Sequence, residues 1–471
     1  MEKIKRALLR PAKCAVDLGD GSERGSYVDQ DYILRKMGRP HRAVNLMYCY
    51  YPLDREWPAR ISEVTQRSGD GAWDYAYDDY FPFTGDTPFE QIRDIRRHGQ
   101  DVIFTLTADP RISDEQITEV ARKFRPCGRL MLRLNHEATG NWFSFNKRCT
   151  YREVADFFVR FTRICHREAP NVRMILCTGG VEVPGSEKIE REEEFAPAVR
   201  ETDIWSMDKY PSLNWGWPNE IAEKTNHQHN CQSLRRVFDI EKNSFERFRF
   251  LNGGVRKPMQ LCEHNEDGDV TGPFLQAKRL ADFYDLIERE GEWLSAITLY
   301  QFRDDGRLGL EITDPNNKNV GIEQPALKAY RQIIHRPYFA PVLTDEEPVS
   351  LPAQLRWGGS EDAEGVSIPV TFEKQPVFAE AYFDGESRGL ALMLELNGRW
   401  LYKAPGVGTV DLMPVFYELP LEGPAVLPLR LFAPPADGMN APDGHEDWQI
   451  NYRRELKELP RLRLRFEPVG E

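Results

Sequence analysis

The alternation of apolar and polar positions changes character near residue 338. Up to about residue 335, short strand-like apolar runs alternate with longer amphipathic segments, the pattern of a parallel sheet with helical crossovers. The runs fall at Cys14–Leu18, Ala43–Tyr50, Asp101–Thr107, Arg129–Leu134, Val172–Cys177, Asp203–Met207, Pro258–Cys262 and Leu294–Leu299. Helices are predicted over Asp29–Lys36, Phe89–Arg97, Phe274–Arg289 and Ala326–Ile334. Two more begin at capping boxes, Ser113 with Gln116 and Thr150 with Glu153, the second carrying Val154, Phe157, Phe158 and Phe161 on one face. Eight strand–helix alternations over about 330 residues predict a (β/α)₈ TIM barrel spanning 1–338. The rival, a doubly wound sheet, usually carries a glycine-rich turn after an early strand, and the sequence has no GxGxxG.

Beyond Pro337 the pattern becomes Pro-punctuated, with short alternating runs at Val366–Phe372, Phe378–Phe383 and Ala391–Leu396. Asp384-Gly385 and Asn397-Gly398 stand between them, the strongest short-range hairpin signals. Residues 339–471 are therefore expected to form an antiparallel β-sandwich. Two long segments, Pro52–Pro88 and Pro211–Asn243, read as loops that decide between an open groove and a closed pocket.

Composition narrows the function classes. Of 471 residues, 41% are hydrophobic and 29% charged, the profile of a soluble globular protein, and the apolar runs are too short to span a membrane. A net charge of −13 repels phosphate backbones and argues against a nucleic-acid partner. The eight cysteines form no CxxC pair and mostly lie in apolar stretches, which reads as reduced thiols and favours a cytoplasmic location. The charged N-terminus is followed by no apolar signal-peptide core; a secreted protein with its signal removed would read the same.

Candidate chemistry sits where barrel strands end, because βα loops build the reactive face of this fold. Strand four runs out through Arg133-Leu134-Asn135-His136-Glu137-Ala138-Thr139-Gly140-Asn141-Trp142-Phe143, and strand seven through Cys262-Glu263-His264-Asn265. Two carboxylates thus reach one face from well-separated strands, as glycosidic hydrolysis requires: one acid for the leaving oxygen, and one group to attack or activate water. A lone Glu at a strand end is more commonly a solvated or ion-paired loop residue, and the pairing is what favours catalysis.

The run Arg-x-x-His-Glu-x-x-Gly-x-Trp-Phe resembles the strand-four signature of family 26 glycoside hydrolases, which include endo-β-mannanases, within the wider clan A of retaining barrels. The resemblance implies Glu137 as acid/base and Glu263 as nucleophile. His136 occupies the place where most clan members carry Asn, with Asn135 one earlier. Asp208-Lys209-Tyr210-Pro211 after strand six is similar to clan endings whose Tyr hydroxyl bonds the nucleophile; Tyr210 as a packing aromatic is the other reading. Strand eight ends in Tyr300-Gln301, where many members place a Trp beneath the sugar.

For His136 a hydrogen bond to a sugar hydroxyl or to Glu263 stands beside a structural role, and for Arg133 an interaction with the nucleophile stands beside a structural ion pair. The expected substrate contacts are Arg133, Asn135, His136, Trp142, Tyr210, Tyr300 and Gln301. Aromatics crowd the loops (Trp57, Trp73, Tyr75, Tyr77, Tyr80, Trp142, Phe143, Trp215, Trp217), and Trp142 is the best sugar platform among them, whereas Trp205 reads as core. Trp357 and Trp400 fall outside the predicted sandwich core, to bind sugar or to brace the barrel. His227, His229 and Cys231 lack a second ligand pair for zinc, and Asp314-Pro315-Asn316-Asn317 fits an Asx turn as well as a calcium loop, so no metal and no cofactor are expected. The reading is a retaining β-glycoside hydrolase acting on oligo- or polysaccharide; the alternative is a carbohydrate-binding barrel without turnover.

Overall fold

The computed structural model describes residues 4–19, 27–54, 57, 80–182, 187–214, 229–358, 362–436 and 452–470. Eight parallel strands form a closed barrel: Ala15–Gly19, Ala43–Tyr50, Asp101–Ala108, Leu130–Leu134, Val172–Cys177, Ile204–Ser206, Met259–His264 and Ala296–Leu299, here strands one to eight. Leu18 pairs with Val44 and Ala296 with Ala15, so strand one bonds to both strand two and strand eight and leaves the barrel without an edge. Each strand is followed by a helix: Gln30–Met37, Thr87–Arg97, Asp114–Phe124, Tyr151–Glu168, Glu192–Glu201, Leu234–Leu251, Pro273–Glu290 and Pro325–Ile334. Both expected capping boxes are present, at Ser113/Gln116 and Thr150/Glu153. The segment Pro211–Asn243, expected as loop, turns helical at Leu234 because Ser233 caps Arg236 and an apolar face follows through Val237, Phe238, Ile240 and Phe245.

Strand alternation lays out the barrel interior. Ala43, Ile103, Met131, Ile175, Ile204 and Cys262 form one apolar layer. Two positions further along the same strands, toward their C-terminal ends, stand Asn45, Thr105, Arg133, Cys177 and Ser206, a layer that has turned polar. Thr105 donates to Asn45 Oδ1 at 2.8 Å and accepts from Arg133 Nε at 2.8 Å, so this layer is hydrogen-bonded across strands two, three and four.

Strand seven breaks the alternation. Leu261 pairs with Ile297 and His264 with Leu299, so three steps on strand seven match two on strand eight. This extra residue is a β-bulge, a device that re-aims side chains. It lets Cys262 join the inner apolar layer while the next residue, Glu263, also reaches Arg133 in the interior.

The C-terminal region is an antiparallel sandwich, with predicted strands found at Ala363–Phe372, Phe378–Tyr382 and Leu392–Leu396. Asn397 and Gly398 both adopt left-handed φ, of 52° and 81°, and join Leu392–Leu396 to Arg399–Lys403 as the tight hairpin their sequence predicts. A strand that precedes the barrel strands, Lys5–Arg10, joins the C-terminal region. It lies between Val342–Pro348 and Ala363–Phe372 in the sandwich sheet, so the barrel proper starts with strand one.

The sandwich docks on the C-terminal ends of the first two barrel helices. Trp400 N donates to Gly38 O at 2.7 Å, and the Tyr402 ring meets His98 at 4.0 Å. Trp357 lies over Gly99, where a Cβ would come within 2.4 Å of the indole. Trp357 and Trp400 are therefore buried in this junction, on the barrel face opposite the strand C-termini. Seven cysteines are buried or part-buried, Cys231 is exposed, and all eight are free thiols. Among the described residues no helix is long and apolar enough to cross a membrane.

Candidate active site

The polar layer of the barrel rises into a cluster centred on Arg133. Its guanidinium is fully buried and splits between two carboxylates: Nη2 donates to Glu263 Oε1 at 2.5 Å and Nη1 to Asp208 Oδ2 at 2.9 Å. Tyr210 donates its phenol to Glu263 Oε2 at 2.9 Å, so both Glu263 oxygens are engaged. His136 Nε2 lies 3.1 Å from Tyr80 Oη and 3.7 Å from Glu263 Oε1. Burial, reinforced by the Arg133 charge, pushes its pKa well below the imidazole range and keeps the ring neutral.

Glu137 sits where the backbone turns out of strand four. Asn135 and Glu137 both have positive φ, 46° and 48°, a conformation that costs a non-glycine residue about 1–2 kcal/mol. Local hydrogen bonds compensate. Asn135 N donates to Leu106 O, its amide oxygen accepts from Ala108 N at 2.7 Å, and its amide nitrogen donates to Ala108 O at 3.1 Å. Ala138 N then bonds Cys177 O, and Gly140 N bonds Glu137 O. Asn135, expected as a substrate contact, braces the backbone between strands three and four.

The rest of the motif explains itself sterically. A Cβ at Gly140 would sit 2.6 Å from the Trp142 indole, so glycine is required for that ring to fold back. The folded-back indole donates Nε1–H to Glu137 Oε2 at 3.0 Å while leaving Trp142 42% exposed. Phe143 packs on His136 at 4.6 Å and stacks on Phe145, locking the far side of the turn.

The two glutamates have contrasting surroundings. Among the described residues, Glu263 receives a charge-assisted and a phenolic hydrogen bond, whereas Glu137 receives the indole alone. Burial, then the negative charges of Asp208 and Glu263, raise the Glu137 pKa well above the carboxylate range, outweighing Arg133 and Trp142. One guanidinium faces three carboxyls, and the excess negative charge favours the protonated form of Glu137. Asp208 itself is pushed up to about 7, chiefly by burial. It was not singled out in the sequence; the available signal was an acidic residue directly beyond a buried strand, two before Tyr210.

Tyr300 meets Tyr210 edge-on at 6.1 Å, bringing strand eight to the same rim, and Gln301 is buried with its amide on Asp304 at 3.2 Å. The peptide between Tyr300 and Gln301 is cis. Trp205 is core, its indole bonded to Val199 O. Trp57 is part-buried, edge-on to Tyr50. Trp73, Tyr75, Tyr77, Trp215, Trp217 and His227 lie outside the described residues. Asp314 accepts from Asn316 N and Asn317 from Asn319 N, the Asx-turn chemistry of that loop.

With that geometry described, comparison with known proteins adds a fold-level likeness. No protein-family model and no curated protein matches the chain. Solved structures do. The chain is similar to a family 26 β-mannanase from Bacteroides ovatus, at 13% identity and TM-score 0.44 over 69% of this chain and 90% of that one. It is similar to a glucosidase from Croceicoccus marinus, at 12% identity and TM-score 0.46 over 92% and 97%. It is similar to a family 51 α-L-arabinofuranosidase from Thermotoga petrophila, at 12% identity and TM-score 0.45 over 98% and 97%. The likeness is one of fold. The chemistry has to be read from the cluster around Arg133.

Proposed function

We propose that this protein is a retaining β-glycoside hydrolase acting on oligo- or polysaccharide by double displacement. The observation that carries the reading is the asymmetry of two carboxyls at one barrel mouth: Glu263 gripped by Arg133 and Tyr210, and Glu137 bonded to the Trp142 indole, with burial and two acidic neighbours raising its pKa. Environments that push paired carboxyls apart in proton affinity separate an acid from a nucleophile.

In the first step Glu263 attacks the anomeric carbon as Glu137 gives its proton to the departing glycosidic oxygen. The C–O bond breaks and a covalent glycosyl–Glu263 ester forms. Glu137, now ionised, takes a proton from water, the hydroxide oxygen bonds to the anomeric carbon, and Glu263 leaves as a carboxylate. Arg133 and Tyr210 hold the attacking oxygens in place. Asp208 shares the Arg133 charge and keeps Glu137 a weak acid. Trp142 presents an exposed aromatic face beside the acid, suited to the C–H face of a sugar ring.

The test is hydrolysis of a panel of aryl β-glycosides, β-linked polysaccharides and an aryl α-L-arabinofuranoside by the parent, Glu137→Ala and Glu263→Ala. Turnover of a β-glycoside that both substitutions abolish supports the assignment. Turnover unchanged in both variants ends it, and sugar binding without turnover in the parent shifts it to a binding protein.

A further inference from the structure

Behind Glu263, on the outer side of strand seven, a second pair of ionisable groups is enclosed that the reaction above does not use. His264 follows Glu263 directly and points the other way, into the layer between barrel and helices, where its ring stacks on Phe283 at 4.0 Å and 20°. Glu241, from the helix Leu234–Leu251, reaches the same place, and His264 Nδ1 lies 3.7 Å from Glu241 Oε1. Both side chains are essentially inaccessible to solvent. Among the described residues, neither Glu241 oxygen has a hydrogen-bond partner of good geometry, and the His264 ring has beside it only a weak contact with the Lys209 backbone.

Folded proteins rarely leave several buried polar atoms unpaired together, and a side-chain rotation of under about 1 Å closes this gap to bonding distance. We propose that Glu241 and His264 form a neutral, hydrogen-bonded couple, the carboxyl O–H donating to Nδ1, and that the couple positions Glu263. The proposal rests on Glu263 being the nucleophile. The charged or titratable groups that face the couple are Lys209 and Asp208, both at the end of strand six. Lys209 has its ammonium on Glu182 at 3.2 Å, and its backbone favours a proton on the His264 ring. Burial acts on both partners in the direction of neutrality, raising Glu241 and lowering His264 to about 3. The couple therefore ties the sixth helix to strand seven immediately beside the bulge. Because Glu263 lies inside that bulge, a loosened His264 would swing the carboxylate relative to Arg133 and Tyr210.

The experiment uses the full chain with ¹⁵N-labelled histidine. In the parent, His264 is expected to remain a neutral Nε2–H tautomer from pH 5 to pH 8. Glu241→Gln, whose amide can still donate, is expected to preserve that signature and to keep kcat on an aryl β-glycoside within about twofold. Glu241→Leu is expected to lower kcat about 10- to 100-fold with KM little changed, the size of effect a small misplacement of a reacting group produces. A His264 resonance that titrates near pH 6.5 in the parent overturns the couple even if the leucine variant does not fold. A folded Glu241→Leu with parental kcat, or equal losses in Gln and Leu, overturns the positioning role. A parent without glycosidase activity removes the reading of Glu263, while the His264 spectrum still decides whether the couple exists.

Discussion

The C-terminal ends of strands four and seven bring the same side chain to the same end of the barrel and treat it in opposite ways. Strand seven delivers Glu263 through a bulge onto a guanidinium and a phenol. Strand four delivers Glu137 through a left-handed turn to a site with one indole donor and two acidic neighbours. The difference teaches that the role of a carboxyl is set by what the backbone makes it face, since the residue type is held constant.

That contrast can be broken most severely at Glu263. Glu263→Ala is expected to reduce kcat by roughly 10⁵-fold or more for every leaving group, whereas Glu137→Ala loses about 10²–10⁴-fold and much less for a dinitrophenolate that needs no proton. Equal, leaving-group-independent losses in steady-state kinetics would erase the distinction between the two sites.

Arg133→Met comes next. It leaves Glu263 and Asp208 buried without their cation, for an expected loss of about 3–5 kcal/mol in urea unfolding together with most activity.

Asp208→Asn tests the electrostatic half of the contrast. Removing that negative charge lowers the Glu137 pKa, so the alkaline limb of the kcat/KM–pH profile moves to lower pH. The same substitution alters stability. Asp208 keeps its proton up to about pH 7 in the folded chain but releases it near 3.9 when unfolded, so the parent loses stability as pH rises through that window. The Asn variant should show a flatter dependence between about pH 4 and pH 7 in the same unfolding assay.

A smaller shift of opposite sign is expected from Trp142→Phe. The indole donor favours ionised Glu137, and its loss moves the alkaline limb to higher pH. If both limbs move the same way, the electrostatic account of Glu137 is wrong.

Least of all should Trp400→Ala affect turnover. It opens the junction at Gly38, costing about 3 kcal/mol in unfolding while leaving kcat/KM unchanged.

Much of the barrel was legible because buried parallel strands are written as compact apolar runs. Ala43–Tyr50 and Val172–Cys177 match the structure end to end, and the others differ by one or two residues at an end. The pair Glu137 and Glu263 was legible because both follow such runs. Three features were not. Lys5–Arg10 finds its partners more than 300 positions away, a distance no local pattern encodes. The strand-seven bulge leaves no mark in Met259-Gln260-Leu261-Cys262-Glu263-His264, since an added residue is visible only against its neighbour strand. The importance of Asp208 depends on Arg133 reaching across from strand four, and the motif does not show that Ala108 engages the Asn135 amide.

The placement of Lys5–Arg10 also imposes an order of events on synthesis. This strand leaves the ribosome before any barrel strand, yet Arg10 bonds Asp362, 352 positions later. At about 10 residues per second, roughly half a minute separates the appearance of the two. During that interval the whole barrel can fold while its own leading segment waits as an unpaired, basic strand. The sandwich sheet is completed only when residues beyond the barrel capture Lys5–Arg10, so a segment made before the barrel is locked in place after it.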